Sequence, residues 1–149
     1  MARTKLTSGQ TKLDSIDFTF NSGSGADQTN TSTSYVDVTG SSTTYTAPAG
    51  NGVKLLLWGS IGALTSTANS TGILVSFNVN GVVVGRGAYS EVTGVTSLVA
   101  IATVNVAAGT TVTIKLQTKQ IGSGTGTLAT NNTRDAQSLP RIIGIAVSQ

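Results

Sequence analysis

Ile73-Leu74-Val75-Ser76-Phe77-Asn78-Val79-Asn80-Gly81-Val82-Val83-Val84 is the stretch that decides the fold class. Ile73, Val75, Phe77 and Val79 alternate with Leu74, Ser76 and Asn78, the two-residue period of a half-buried strand. Asn80-Gly81 then separates this run from three valines. A type I′ turn needs positive φ at both central residues, which asparagine and glycine tolerate, so the stretch predicts a β-hairpin.

Short strands continue on both sides of it. Downstream, residues 95–106 form one strand, and Ala107-Ala108-Gly109-Thr110 turns it into another over 111–118. There Val112, Ile114 and Leu116 face in while Thr113, Lys115 and Gln117 face out. A Gly/Thr/Asn loop fills 122–133, and Arg141 to Val147 make the last strand. Upstream, Tyr35-Val36-Asp37-Val38 and Thr43 to Ala47 come first, followed by a Pro48-Ala49-Gly50-Asn51-Gly52 turn. Val53-Lys54-Leu55-Leu56-Leu57-Trp58 is apolar on nearly both faces. Such a strand is covered twice, by its partner sheet and by something else. Trp58 is accordingly a core or interface residue, and in an oligomer Leu56 and Trp58 would be expected at the interface. Some eight strands with turns between them and no credible helix predict an all-β sandwich or barrel.

Residues 1–20 are expected to be an extended N-terminal arm, 21–34 a polar linker, and 35–149 the β-sandwich domain. In the arm, Ile16, Phe18 and Phe20 alternate with Asp17 and Thr19 and need a surface to bury against. The linker holds one alanine and no larger apolar side chain.

Composition supports the same class. Threonine outnumbers every other residue type and valine is abundant, and both are stiff at χ1 and suit a pleated surface. Charged residues make up 10%, against about a quarter in an ordinary domain. A surface so poor in charge docks on a partner with few groups to desolvate. The net charge of +3 comes from dispersed cations, not from the dense aromatic-interleaved stripe of a nucleic-acid binder. No apolar run is long enough to span a bilayer. The opening Met-Ala-Arg-Thr-Lys-Leu lacks an apolar signal core, so synthesis in a cytoplasm, with exit by lysis, is expected.

Catalytic chemistry finds little to work with. Histidine and cysteine are absent, which removes the commonest general base, the thiol nucleophile and thiolate metal sites. Asp37, Glu91 and Asp135 are the carboxylates of the folded domain, and no motif pairs them as a glycosidase requires. Gly122-Ser123-Gly124-Thr125-Gly126 lacks the lysine and helix of a phosphate cradle. Asn131, Asn132 and Asp135 offer three oxygen ligands, a thin signal for calcium. Tyr35 and Tyr89 are candidates for a platform stacking sugars or bases, with core packing as the simpler role. No enzyme, cofactor or metal is expected.

Phe77 to Val84, then Ser97 to Val106, then Ala107-Ala108-Gly109-Thr110-Thr111-Val112-Thr113-Ile114-Lys115-Leu116 resemble the central part of compact trimeric jelly rolls of the tumour-necrosis-factor and complement globular-head type. Ser34 to Val38 and Thr43 to Gly50 look like the first strands of similar domains in tailed-bacteriophage structural proteins. Gly109 is followed by Thr110 and Thr111, where the extracellular relatives often place an acidic residue, which favours the phage members. The resemblance covers about residues 34–148. It implies a jelly-roll-like antiparallel β-sandwich, a homotrimer, and a place on the virion as a capsid decoration (cement) or head-fibre protein. The partner would be the major capsid protein, with no nucleic acid or membrane. Arg3, Lys5, Leu6, Lys12, Leu13, Ile16, Phe18 and Phe20 of the arm would bind the capsid. The alternative is a receptor- or glycan-binding tip of a tail fibre.

Overall fold

The computed structural model describes residues 13–19, 26–66, 72–87, 89–91, 96–122, 124–131 and 139–149. Its strands are β1 (Leu13–Thr19), β2 (Gln28–Asn30), β3 (Val36–Asp37), β4 (Thr43–Thr46), β5 (Val53–Ser66), β6 (Gly72–Val79), β7 (Val82–Val84), β8 (Arg86–Gly87), β9 (Tyr89–Glu91), β10 (Thr96–Val106), β11 (Thr111–Ile121), β12 (Gly126–Leu128) and β13 (Arg141–Ser148), and no helix occurs among the described residues. The first sheet has the order β1-β13-β5-β10-β8, with β12 also on β5 and β2 on β12. The second runs β3-β11-β6-β7, with β4 also on β11 and β9 on β6. The pairings are antiparallel throughout. Of the long strands, β5, β10 and β13 lie in the first sheet and β6 and β11 in the second. Each step along the chain from one long strand to the next therefore leads across the sandwich, and β10 is reached through the β6–β7 hairpin. This is a jelly-roll-like β-sandwich.

The hairpin forms at Asn80-Gly81, with φ of 50° and 87°, the left-handed pair that a type I′ turn requires. Asn78 Oδ1 accepts from the Gly81 N–H at 2.8 Å and Asn80 Oδ1 from the Thr113 N–H at 2.8 Å. The first closes the turn and the second fixes its tip against β11.

Inward positions make one apolar core. Leu55, Leu57 and Ile61 of β5, Leu98 and Ala100 of β10, and Ile142 of β13 are buried against Ile73, Val75 and Phe77 of β6 and Ile114 and Leu116 of β11. Complete burial of each large side chain contributes about 1.5–3 kcal/mol. Gly59 lies where β5 passes beneath Phe77 and Leu116. A Cβ there would stand 2.4 Å from Leu116 Cδ2 and 2.8 Å from Phe77 Cζ, so the missing side chain lets the two sheets close.

Several strands exceed their sequence-based bounds. β5 continues to Ser66 because its cross-strand pairing with β10 and β12 carries it past the apolar run. β11 likewise extends to Ile121 against β6. β3 and β4 pair with the same edge of β11, and Ser41 bridges the gap between them. Its buried hydroxyl donates to Val38 O at 2.8 Å and accepts from the Leu116 N–H at 3.0 Å.

The stretch expected as a linker is structured at its end. β2 pairs with β12, and Asn30, 3% exposed, donates through Nδ2 to Thr118 O and Thr118 Oγ1 at 3.0 Å each. Gln120 Nε2 in turn donates to Asn30 O at 3.0 Å. A polar residue thus ties the first sheet to the second, and composition alone conceals this because the bonding partners lie far along the chain. The described part of the arm also has a place: β1 pairs with β13 through all seven of its residues.

Candidate functional site

Directly opposed residues of an antiparallel pair share a face. On the outer side of the first sheet this builds three rows across β10, β5 and β13: Val99–Ser60–Arg141, Ile101–Trp58–Ile143 and Thr103–Leu56–Ile145. Ile101 is 51% and Val99 42% exposed, while Leu56, Trp58, Ile143 and Ile145 are half-buried by one another. Neighbouring strands stand about 4.8 Å apart, so the apolar side chains are continuous. Lys54 and Arg141 lie exposed at opposite ends of the patch, giving an apolar centre with a polar rim. Leu56 and Trp58, marked by the sequence, fall in the middle of this surface. Ile101, Ile143 and Ile145 were not marked. Their partnership with Trp58 and Leu56 is a matter of register, which becomes visible once β5 is known to lie between β10 and β13.

The arm residues divide. Arg3, Lys5, Leu6, Lys12 and Phe20 lie outside the described residues. Leu13 is opposite Val147 on the outer-face register. Ile16 and Phe18 are opposite Gly144 and Ile142, positions on the face turned to the second sheet. This part of the arm completes an edge of the chain's own sheet.

The outer face of the second sheet is polar around Lys115 and Gln117 and more apolar around Leu74, Val83 and Ile121. Lys115 Nζ lies 2.7 Å from Asp37 Oδ2, and Gln117 Nε2 donates to Asp37 Oδ1 at 2.6 Å. The hydrogen bonds from Lys115 and Gln117 hold the Asp37 carboxyl below its ordinary value, against a smaller opposing effect of burial. Gln28 clamps the backbone here: its Nε2 donates to Asp37 O at 2.9 Å and its Oε1 accepts from the Thr39 N–H at 2.7 Å. An open hollow of about 440 Å³ is lined by Asp37, Asn78, Asn80, Gly81, Thr113, Lys115 and Gln117. A second, of about 720 Å³, is lined by Tyr35, Leu74, Val83, Gly85, Lys119 and Ile121. Lys119 Nζ stands 5.0 Å from the centroid of the Tyr35 ring, a cation–π distance.

The carboxylates considered for catalysis are not seen to converge. Asp37 is engaged by an ammonium and an amide, the side chain of Glu91 on β9 is not described, and Asp135 lies outside the described residues. Among the described residues no three His, Cys, Asp or Glu side chains cluster as metal ligands would. Asn131 uses its backbone N–H to reach Asp27 Oδ1 at 3.2 Å, while Asn132 is outside the described residues. Of the two tyrosines considered for stacking, Tyr35 lines the larger hollow, and the side chain of Tyr89 is not described. No protein-family model matches the chain, and no curated protein matches it.

Proposed function

We propose that this chain is a structural protein of a tailed-phage virion, a capsid decoration (cement) or head-fibre protein that assembles through the outer face of its first sheet. The observation that carries the assembly is the row Ile101–Trp58–Ile143 with its neighbours Leu56, Ile145 and Val99. An aromatic anchor among β-branched and aliphatic side chains, with Lys54 and Arg141 at the two ends and Arg86 of β8 at the register position beside Ile101, is an apolar centre with a charged margin, the composition of an interface. A second copy is the occupant of that face, and the closed arrangement is a homotrimer. The assignment to a virion rests on the jelly-roll resemblance of residues 34–148, to which the alternation of long strands between two sheets adds support.

The mechanism is thermodynamic rather than catalytic. A protein that binds only the assembled shell stabilises that shell in proportion to its affinity and concentration. Trimerisation multiplies the arms presented to the major capsid protein, and linked arms gain effective concentration. With β1 occupied in its own sheet, Arg3, Lys5, Leu6, Lys12 and Phe20 are the arm residues outside it that would reach the capsid.

The test is sedimentation with shells that lack the protein, using the full chain, the chain without residues 1–12 and the chain without residues 1–20. The full chain is expected to run as a trimer and to sediment with the shells. Removing residues 1–12 should abolish binding and leave the trimer intact. A trimer that ignores the shell would transfer the assignment to a tail-fibre tip, and a monomer at micromolar concentration would remove the role of the first sheet's face.

A further inference from the structure

The second sheet presents a groove that capsid binding and trimerisation leave unused. β11 contributes Thr113, Lys115, Gln117, Lys119 and Ile121 at alternate positions, a row about 27 Å long. Asn78 lies opposite Lys115, Asp37 opposite Gln117, and Leu74 opposite Lys119. The two hollows therefore follow one another along the same strand.

The polar atoms of the smaller hollow are oriented before any ligand arrives. Each Asp37 oxygen takes one donor, from Lys115 or Gln117, and keeps accepting capacity, with the side chain 45% exposed. The Asn78 and Asn80 amide oxygens are taken by the Gly81 and Thr113 N–H groups. That fixes both amides and leaves their Nδ2 donors unpartnered among the described residues. Gln117 is 8% exposed, and its Oε1 meets no donor. Leaving such an acceptor unpaired costs about 1–3 kcal/mol. Fixed acceptors beside fixed donors suit hydroxyl groups, each of which donates and accepts.

The larger hollow supplies the complementary surface. Tyr35, Leu74, Val83 and Ile121 offer an aromatic and apolar floor for the C–H faces of sugar rings. A polyanion is a poorer match, because the Lys115 charge is met by Asp37 at 2.7 Å and Lys119 is the one remaining cation in the lining of the two hollows. An extended peptide would add to a strand edge rather than lie across this face.

We propose that the groove from Thr113 to Ile121 binds a neutral oligosaccharide, with Asp37, Asn78 and Asn80 hydrogen-bonding its hydroxyls and Tyr35 packing on a ring. The chemistry of the groove does not depend on the virion assignment. Its display on the outside of a trimer does, since the groove and the assembly face lie on opposite sheets.

The experiment is a printed array of neutral and acidic bacterial surface oligosaccharides probed with the full chain, followed by calorimetric titration of the strongest neutral glycan. Asp37→Ala, Tyr35→Ala and Asn78→Asp, which keeps the amide's shape and acceptor while removing its donor, are each expected to raise Kd at least tenfold. Ile101→Lys, on the other sheet, should leave the per-site Kd unchanged. Circular dichroism identifies any variant that fails to fold, and the remaining variants then decide. Absence of neutral-glycan binding, binding confined to acidic glycans, or a Kd indifferent to the groove variants would each overturn the proposal. Shell sedimentation of Asp37→Ala reports on capsid binding separately, so failure of one function is not mistaken for failure of the other.

Discussion

The outer faces of the two sheets arise from the same alternation of inward and outward residues and end as opposite surfaces. On the first sheet, the outward positions of β5, β10 and β13 are Leu56, Trp58, Val99, Ile101, Ile143 and Ile145. On the second, β11 and β6 turn out Thr113, Lys115, Gln117, Lys119, Ser76 and Asn78, with Leu74 and Ile121 as apolar members towards one end. The inward positions of both sheets are buried and mostly aliphatic or aromatic, with Thr118 and Gln120 of β11 as polar members that meet Asn30. Folding is therefore encoded by one half of each strand and surface chemistry by the other, and the contrast between the outward halves separates self-association from recognition of polar groups.

Placing one charge on each face should separate them most sharply. Ile101→Lys puts an ammonium in the central row of the apolar patch, beside Trp58, and is expected to raise the trimer dissociation constant at least a hundredfold, about 3 kcal/mol. Val83→Lys, on an exposed position of the second sheet's edge strand, should leave it unchanged. Sedimentation equilibrium of the two variants makes the measurement, and equal effects would erase the distinction between the faces. A smaller effect is expected at the polar tie between the sheets. Asn30→Ala removes the bonds to Thr118 and the acceptor for the Ser32 N–H, and should lower unfolding free energy by about 1–3 kcal/mol in urea titrations. A change below a few tenths would show the docking of β2 to be incidental.

The smallest effect concerns pH. The Asp37 carboxyl is held below its ordinary value near 3.8, so its contribution is present above that value and disappears as pH falls through the lowered one. With the side chain 45% exposed, the contribution is below about 1 kcal/mol. The melting temperature of the wild-type chain should therefore fall slightly more than that of Asp37→Asn between pH 5 and 3. Parallel profiles would mean that the Lys115 pair adds nothing to stability.

The sheet-forming pattern was legible in the residues themselves. The 73–84 hairpin, the inward Val112, Ile114 and Leu116, and the doubly apolar run around Trp58 all carry local signals, namely period-two alternation and an Asn-Gly turn. What escaped was anything that depends on a distant partner. Asn30 sits in a stretch with the composition of a linker and becomes an anchor only because Thr118 and Gln120 come to meet it. Asp37 is an ordinary surface acid until β3 is set beside β11, 78 residues from Lys115. The apolar patch was half legible, since Leu56 and Trp58 announce it while the isoleucines that complete it belong to strands paired by register.

The position of β13 has a consequence for how the molecule is made. It is the last described strand and lies between β1 and β5, inside the first sheet rather than at its margin. On the ribosome, β5 is finished at Ser66, 75 residues before Arg141 begins the strand that covers its edge. At translation rates of about 5–20 residues per second, that edge waits roughly 4–15 s for its partner. During that interval a nascent chain exposes a long, apolar, unpaired strand, the kind of template on which neighbouring chains aggregate. Polysomes producing this protein in quantity bring many such edges together, so its yield should depend on chaperone capacity and growth temperature more than on the stability of the finished fold.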